Sequence, residues 1–265
     1  MTARILHISD LHLGRRDAPE PLAALGELVT GLDPELLVVT GDLAHRGRRA
    51  ELERAGERLR GLGVQLLAVP GNHDIPYTFP ARFTRTFAEW ERVFGATEPT
   101  YDSERFTVVG LNSVREWRHQ SGALGPVQLG SLSSRLRAAG DGALRVVALH
   151  HHLAAPPWRS RKRPVTRRDQ VLRALADAGA ELVLAGHVHQ AGITARREFE
   201  ALDHDRGSSV VLATVAGFSR PRPRRRGEAL GVNVYEAGAE RFAVVTYTWD
   251  GRGFTEVGRR AFPRG

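Results

Sequence analysis

The 265-residue chain has no cysteine. That excludes a disulfide framework, a thiolate zinc site, an iron–sulfur cluster and a cysteine nucleophile, and it leaves histidine, carboxylate or amide to hold any metal. No apolar run approaches the roughly 18–20 residues of a membrane span, so no membrane segment is expected. Lysine is nearly missing as well: of 38 basic residues, Lys162 alone is not arginine. The opening stretch enters a strand-like run at Ala3, with no room for a secretory signal, and the expected compartment is the cytoplasm.

What is present is ordinary for a folded protein. The composition is 42% hydrophobic and 26% charged, which excludes global disorder. The length suits a single domain over 1–265, with a core at 3–190 and C-terminal antiparallel strands within 208–250. The formal charge of +8 is local. Arg159, Arg161, Lys162, Arg163, Arg167 and Arg168 fall in one acid-free window, and Arg220, Arg222, Arg224, Arg225 and Arg226 in another. Both windows contain proline and read as loops, suited to a polyanion such as nucleic acid or to a solvated rim.

Short apolar runs at 3–8, 36–40 and 64–69 are rich in aliphatic residues and bounded by turn signals, as buried parallel strands are. Segments 20–32 and 47–61 between them have helical spacing; in the second, Leu52, Ala55, Leu59 and Leu62 recur at steps of three and four. A helix is expected at 81–94, a strand at 105–111, a helix at 127–139, a strand at 144–149, a helix at 168–178 and a strand at 181–185. Strands without helices follow at 208–215, 231–235 and 241–248, and that tail reads as antiparallel. The pattern predicts an α/β fold of two facing mixed sheets flanked by helices.

The informative residues sit just past the strands. The first run ends in Asp10-Leu11-His12, the second in Gly41-Asp42 and the third in Gly71-Asn72-His73-Asp74. The run at 144–149 leads into His150-His151-His152, and that at 181–185 into Gly186-His187-Val188-His189. Ligands bind at the carboxyl ends of strands in open α/β sheets, so these groups are expected to converge in one crevice. Asp10 and His12 lie two apart, as do His187 and His189, a spacing that puts both side chains on one face of an extended chain. Several imidazoles with carboxylates suit two divalent ions if one carboxylate bridges them, and Asp42, alone after its strand, is the natural bridge. Each motif alone has a plain alternative as a turn or a polar strand end; the ordered set of five is hard to explain that way.

The ordered set D-x-H, G-D, G-N-H-D, H and G-H-x-H over residues 10–189 resembles the calcineurin-like metallophosphoesterase superfamily. The resemblance implies a two-metal site at the ends of a helix-flanked β-sandwich. One ion would be held by Asp10, His12, Asp42 and His189, the other by Asp42, Asn72, His150 and His187. His151 is the alternative to His150, and His152 is a candidate substrate contact. Manganese is the favoured metal, with iron or zinc as alternatives. Paired ions about 3.5–4 Å apart activate a bridging hydroxide and stabilise developing charge. His73 resembles the family histidine that protonates the leaving oxygen, with Asp74 to orient or charge it.

Protein serine/threonine phosphatases carry an aspartate where this chain has His45, and purple acid phosphatases have a tyrosine ligand there; both branches are therefore disfavoured. The opening Ile5–Gly14 and the segment Val108–Ser113 resemble bacterial class III cyclic-nucleotide phosphodiesterases. The expected activity is hydrolysis of phosphodiesters, cyclic nucleotides foremost. A DNA or RNA nuclease of the same superfamily is the alternative, with the arginine windows as its track, and a non-catalytic scaffold is a third reading. Arg15 and Arg16 are candidate phosphate contacts. His7, His119 and His204 match no motif and read as structural or surface residues.

Overall fold

Strand β1 (Ala3–Ile8), helix α1 (Pro19–Leu32), β2 (Leu36–Val39), α2 (Arg49–Arg60) and β3 (Leu66–Ala68) alternate in the computed structural model, with β1, β2 and β3 pairing in parallel. The structure describes residues 3–14, 19–137, 140, 142–158, 160–195, 210–219 and 227–264. Arg15, Arg16, Arg159, Arg220, Arg222, Arg224, Arg225, Arg226 and His204, and the start of the expected strand 208–215, lie outside the described residues.

Helices α3 (Ala81–Thr84) and α4 (Ala88–Phe94) replace the single helix expected at 81–94. The break falls at Arg85, whose backbone is neither helical nor extended (φ −144°, ψ 43°). Then come β4 (Thr100–Asp102), β5 (Phe106–Gly110), α5 (Pro126–Arg137), β6 (Leu144–Ala148), α6 (Arg168–Asp177), β7 (Leu182–Ala185), β8 (Gly192–Ala195), β9 (Val211–Thr214), β10 (Gly231–Ala237), β11 (Arg241–Trp249) and β12 (Phe254–Pro263).

The strands form two six-stranded mixed sheets, ordered β12-β11-β10-β1-β2-β3 and β4-β5-β6-β7-β9-β8. The tail is antiparallel where β10, β11 and β12 extend the first sheet beyond β1. The expectation fails for β9, which runs parallel to β7. Edge strand β8 supplies the reversal: it leaves β7, turns at the rim and pairs antiparallel with β9, which returns between them.

Alternate residues of each buried strand face opposite sides. Ile5, Leu36, Val38 and Leu67 of one sheet meet Phe106, Val108, Leu144, Val146, Leu182 and Leu184 of the other, with Tyr235, Phe242 and Val244 in the same core. The outward partners Leu6, Ile8, Leu37 and Val39 pack on Leu25, Leu52, Ala55, Leu59 and Trp90. On the far side Val109, Val147 and Val183 pack on Leu132, Leu136, Val171, Leu172 and Leu175. Four layers result, helix–sheet–sheet–helix. Strands apolar on both faces explain why their sequences read as continuous hydrophobic runs. The carboxyl ends of β1, β2, β3, β6 and β7 meet at one end, where the His150 ring reaches the Thr40 carbonyl at 2.7 Å across the sheets.

Candidate metal centre

Asp10, just past β1, joins the two sheets through its carboxylate. Its Oδ2 accepts the backbone N–H of His187 at 2.9 Å. Its Oδ1 is buried without a hydrogen bond, 3.1 Å from His189 Nε2 and 3.8 Å from His12 Nε2. Those two imidazole nitrogens are 3.2 Å apart. Asp42, past β2, stands between this group and a second one. Its Oδ1 accepts the His73 N–H at 2.8 Å and lies 3.4 Å from His150 Nε2. Its Oδ2 has no hydrogen-bond partner and lies 3.8 Å from His12 Nε2. In the second group, His150 Nε2 is 3.2 Å from Asn72 Oδ1 and 3.1 Å from His187 Nδ1.

Buried carboxylate oxygens without hydrogen bonds are costly unless a cation shares them. Here they converge with neutral-capable imidazole nitrogens: Asp10, His12 and His189 form one set, Asp10, Asp42 and His150 another, each with ligand atoms within 4.8 Å of one another. Nitrogen and oxygen donors in this mixture fit divalent transition ions. The expected alternative, His151, has its Nδ1 2.8 Å from Ser113 Oγ, while its Nε2 is buried without a hydrogen bond and it forms a further possible ligand set with His150 and His187. Its ring remains 4.6 Å from that of His187.

The local backbone differs from the expected extended chain. Asp10 (φ 59°), His12 (48°), Asp42 (54°), His187 (70°) and His189 (59°) all lie in the left-handed region, where side-chain-bearing residues are uncommon. Asp10 and His12 converge through tight left-handed turns, not by strand alternation, and His187 and His189 repeat that geometry. Strain of this kind persists where surrounding structure over-determines it. The neighbouring glycines permit the approach. Gly41 has φ 81°, and a Cβ there would stand 2.4 Å from the Gly71 nitrogen; at Gly186 it would stand 1.8 Å from Ser9 Oγ.

Electrostatics match. Burial would raise both carboxyls, but His189 and His150 around Asp10, and His150, His73 and His12 around Asp42, hold them well below the ordinary range. Burial keeps His12 and His187 well below 6.5, hence neutral. Burial also acts to lower His150, but Asp42 beside it prevails and raises it to about 9.

His73 stands beside this centre, its ring 4.8 Å from that of His12. Its Nδ1 faces the His45 carbonyl at 2.8 Å and the Tyr77 hydroxyl at 3.1 Å. Asp74, expected to orient or charge His73, makes its hydrogen bonds to the loop backbone. The Asp74 carboxylate turns inward and accepts the N–H groups of Ala44 and Gly71, both at 2.8 Å, so it holds the loop rather than the imidazole. Burial and the Asp42 charge raise it to about 7. His152, expected as a substrate contact, is buried with its ring stacked 5.7 Å from His187. Burial lowers it to about 4.

Sequence reasoning missed a polar chain behind the centre. Buried His7 meets the Tyr235 hydroxyl at 3.0 Å and Thr40 Oγ1 at 2.8 Å. The Thr40 carbonyl in turn accepts from Ser9 Oγ at 3.0 Å and faces His150 Nδ1. A histidine inside an otherwise apolar strand was the available signal. Of the loops near the site, 112–125 reaches it, with the Gln120 carbonyl 3.0 Å from His187 Nε2.

A sequence profile described as calcineurin-like phosphoesterase matches residues 3–191. A probable cyclic nucleotide phosphodiesterase of Synechococcus is 32% identical over 214 residues, covering 74% of this chain and 77% of that protein. A cAMP/cGMP dual specificity phosphodiesterase of Mycobacterium tuberculosis is 33% identical over 209 residues, covering 70% of this chain and 61% of that one. In three dimensions, a purple acid phosphatase from yellow lupin seeds superposes with a TM-score of 0.74 at 13% identity, over 100% of this chain and 54% of the plant protein, a likeness of fold. Among the described residues no helix is long and apolar enough to cross a membrane. With the profile running through all five strand-end motifs, the chain belongs to the calcineurin-like phosphoesterase family.

Proposed function

We propose that this phosphoric ester hydrolase is a two-metal phosphodiesterase acting on nucleotide diesters, 3′,5′-cyclic nucleotides foremost. The observation that carries the reading is Asp42, whose two oxygens face His150 on one side and His12 on the other. A first ion would take Asp10, His12, Asp42 and His189, and a second Asp42, Asn72, His150 and His187. Manganese, iron or zinc suits these donors. When bound, such a pair supplies Lewis-acid stabilisation of the phosphoryl oxygens and a nucleophile at neutral pH.

The chain's own residues do the rest. His73 is within reach of the same space, and the His45 carbonyl opposite Nδ1 selects the tautomer with the proton on that nitrogen. Protonated, His73 carries a second proton on Nε2, which it delivers to the leaving oxygen; that oxygen departs as an alcohol. Asp74 keeps the Gly71–Asp74 turn closed, and the Thr40 carbonyl fixes the tautomer of His150. The substrate class follows the names of the relatives in Synechococcus and Mycobacterium.

A nuclease is the second reading, in which the basic window around Lys162 would meet the polymer. Product analysis separates the two. Manganese-loaded protein is offered 3′,5′-cyclic AMP and single-stranded DNA in parallel, with His73→Ala as control. Release of AMP faster than of any DNA fragment is the expected result. DNA fragments with untouched cyclic AMP would favour the nuclease, and full activity of His73→Ala would remove the general-acid assignment.

A further inference from the structure

We infer that the cleft beside His45 is an anion subsite for a phosphate carried by the leaving group of the diester, an inference that rests on the phosphodiesterase reading above. The cleft has a volume of about 400 Å³ and is lined by Gly14, His45, Arg46, Arg48 and Glu51. His45 connects it to the reacting centre. Its carbonyl meets His73 Nδ1 at 2.8 Å, and its ring lies nearly parallel to that of His73, 5.8 Å away. Gly14, two residues past His12, also lines the cleft.

The charge of this cleft is available. Arg46 and Arg48 are exposed, and neither guanidinium makes an ion pair among the described residues. Glu51 is the acid among the described lining residues. It is buried, and its Oε2 accepts the backbone N–H groups of Arg46 at 2.8 Å and Arg48 at 3.4 Å. A second cleft, of about 540 Å³ around Arg145, Glu181 and Arg264, makes a useful contrast. There Arg264 is paired with Glu181 at 2.9 Å and its charge is used. Two guanidiniums held on one short loop present planar donor forks that match phosphate oxygens.

The position sets the ligand. In hydrolysis the bond from phosphorus to the leaving oxygen breaks, a bond from phosphorus to the oxygen of water forms, and a proton passes to the leaving oxygen. The departing group therefore lies on the His73 side, and whatever it carries extends past His45 toward Arg46 and Arg48. A leaving nucleoside that bears its own phosphate fills this cleft; a bare one leaves it empty. Among linear nucleotide diesters, the inferred preference is for those with a phosphorylated leaving nucleoside.

Two measurements test it. Metal-free protein is titrated calorimetrically with thymidine 5′-phosphate, comparing the unaltered chain with R46A/R48A. Charge-assisted contacts predict binding that weakens about tenfold or more in the variant. The manganese-loaded enzyme is then offered the dinucleotide TpT with and without a terminal phosphate at either end. The ratio of kcat/KM for the better phosphorylated dinucleotide to that for TpT is expected to be about ten, falling to about one in the variant. A ratio near one in the unaltered enzyme, or a ratio the variant retains, overturns the subsite. If the unaltered enzyme fails even on bis(p-nitrophenyl) phosphate, the phosphodiesterase reading fails, and the calorimetry decides the subsite alone: equal binding by both proteins overturns it. R46Q/R48Q replaces R46A/R48A if the latter unfolds at a lower temperature.

Discussion

The two ends of the first sheet's central strands and its outer strands obey opposite rules. Past β1 and β2 the chain places Asp10, His12 and Asp42 in left-handed backbone, with buried carboxylate oxygens left without hydrogen bonds. Along β10, β11 and β12 the ladder is long and paired, with one irregularity between Thr246 and Tyr247. Phe242 and Phe262 stack there at 5.6 Å. The contrast teaches that the strand ends hold strained, charged groups for chemistry, while the antiparallel extension and its core supply the stability that keeps them in place.

Phe242→Ala tests the stabilising region most severely. A buried aromatic replaced by alanine costs about 3–5 kcal/mol. Denaturant unfolding is expected to show that loss, while activity per folded molecule stays the same; a fall in both would break the division between the two regions. Asp42→Asn is its mirror image. Hydrolysis and metal stoichiometry are expected to fall more than about a hundredfold, beyond the cost of losing an outer partner of a ligand. The ion-free protein is expected to keep a cooperative thermal unfolding transition. A collapse in stability would show that Asp42 is a structural residue.

His7→Phe sharpens the boundary between the regions, because His7 belongs to the core yet acts on His150 through Thr40. Manganese affinity by calorimetry is expected to fall about 10–100-fold, the range for partners behind a ligand. Unchanged affinity would return His7 to a purely structural role.

The pH dependence is smaller and has a definite sign. Burial lowers His150 but Asp42 raises it further, so in the ion-free protein it titrates near 9 against an ordinary 6.5. The stability this proton confers is fully present below 6.5 and is lost as pH rises through about 9. Ion binding must expel the proton, so affinity is expected to rise with pH across that window. Calorimetry in buffers of different ionisation enthalpy should detect proton release at pH 7.5 that is about halved near pH 9 and fades above it; no release at the lower pH would remove the Asp42–His150 pairing. Val257→Lys on exposed β12 is expected to change stability by less than about 0.5 kcal/mol, read by thermal unfolding, and a larger loss would reveal a role for that edge.

Much of the site was legible in the chain because each strand-end motif combines a buried aliphatic run with a polar turn. Leu36–Val39 followed by Gly41-Asp42 announces both a strand and a candidate ligand. Of the three adjacent histidines, His150 lies 3.4 Å from Asp42 Oδ1 and 3.2 Å from Asn72 Oδ1. Asp74 was less legible: its neighbours in sequence suggested a partner for His73, but a buried carboxylate first satisfies the nearest backbone N–H groups. Strands β4, β8 and β12 escaped notice because they are short or exposed, and such strands lack the hydrophobic signal.

By itself the sequence determined the alternation of the core strands and helices, the continuous apolar strands and the kinds of candidate ligand at their ends, since these follow from local pattern and composition. Tertiary structure decided the rest. It turned Asp10, His12, His187 and His189 into left-handed backbone, placed the Asp42 carboxylate between two imidazole groups, ran β9 parallel to β7, and gave His73 the His45 carbonyl. Those outcomes depend on contacts between residues distant in the chain, whose geometry no local spacing encodes.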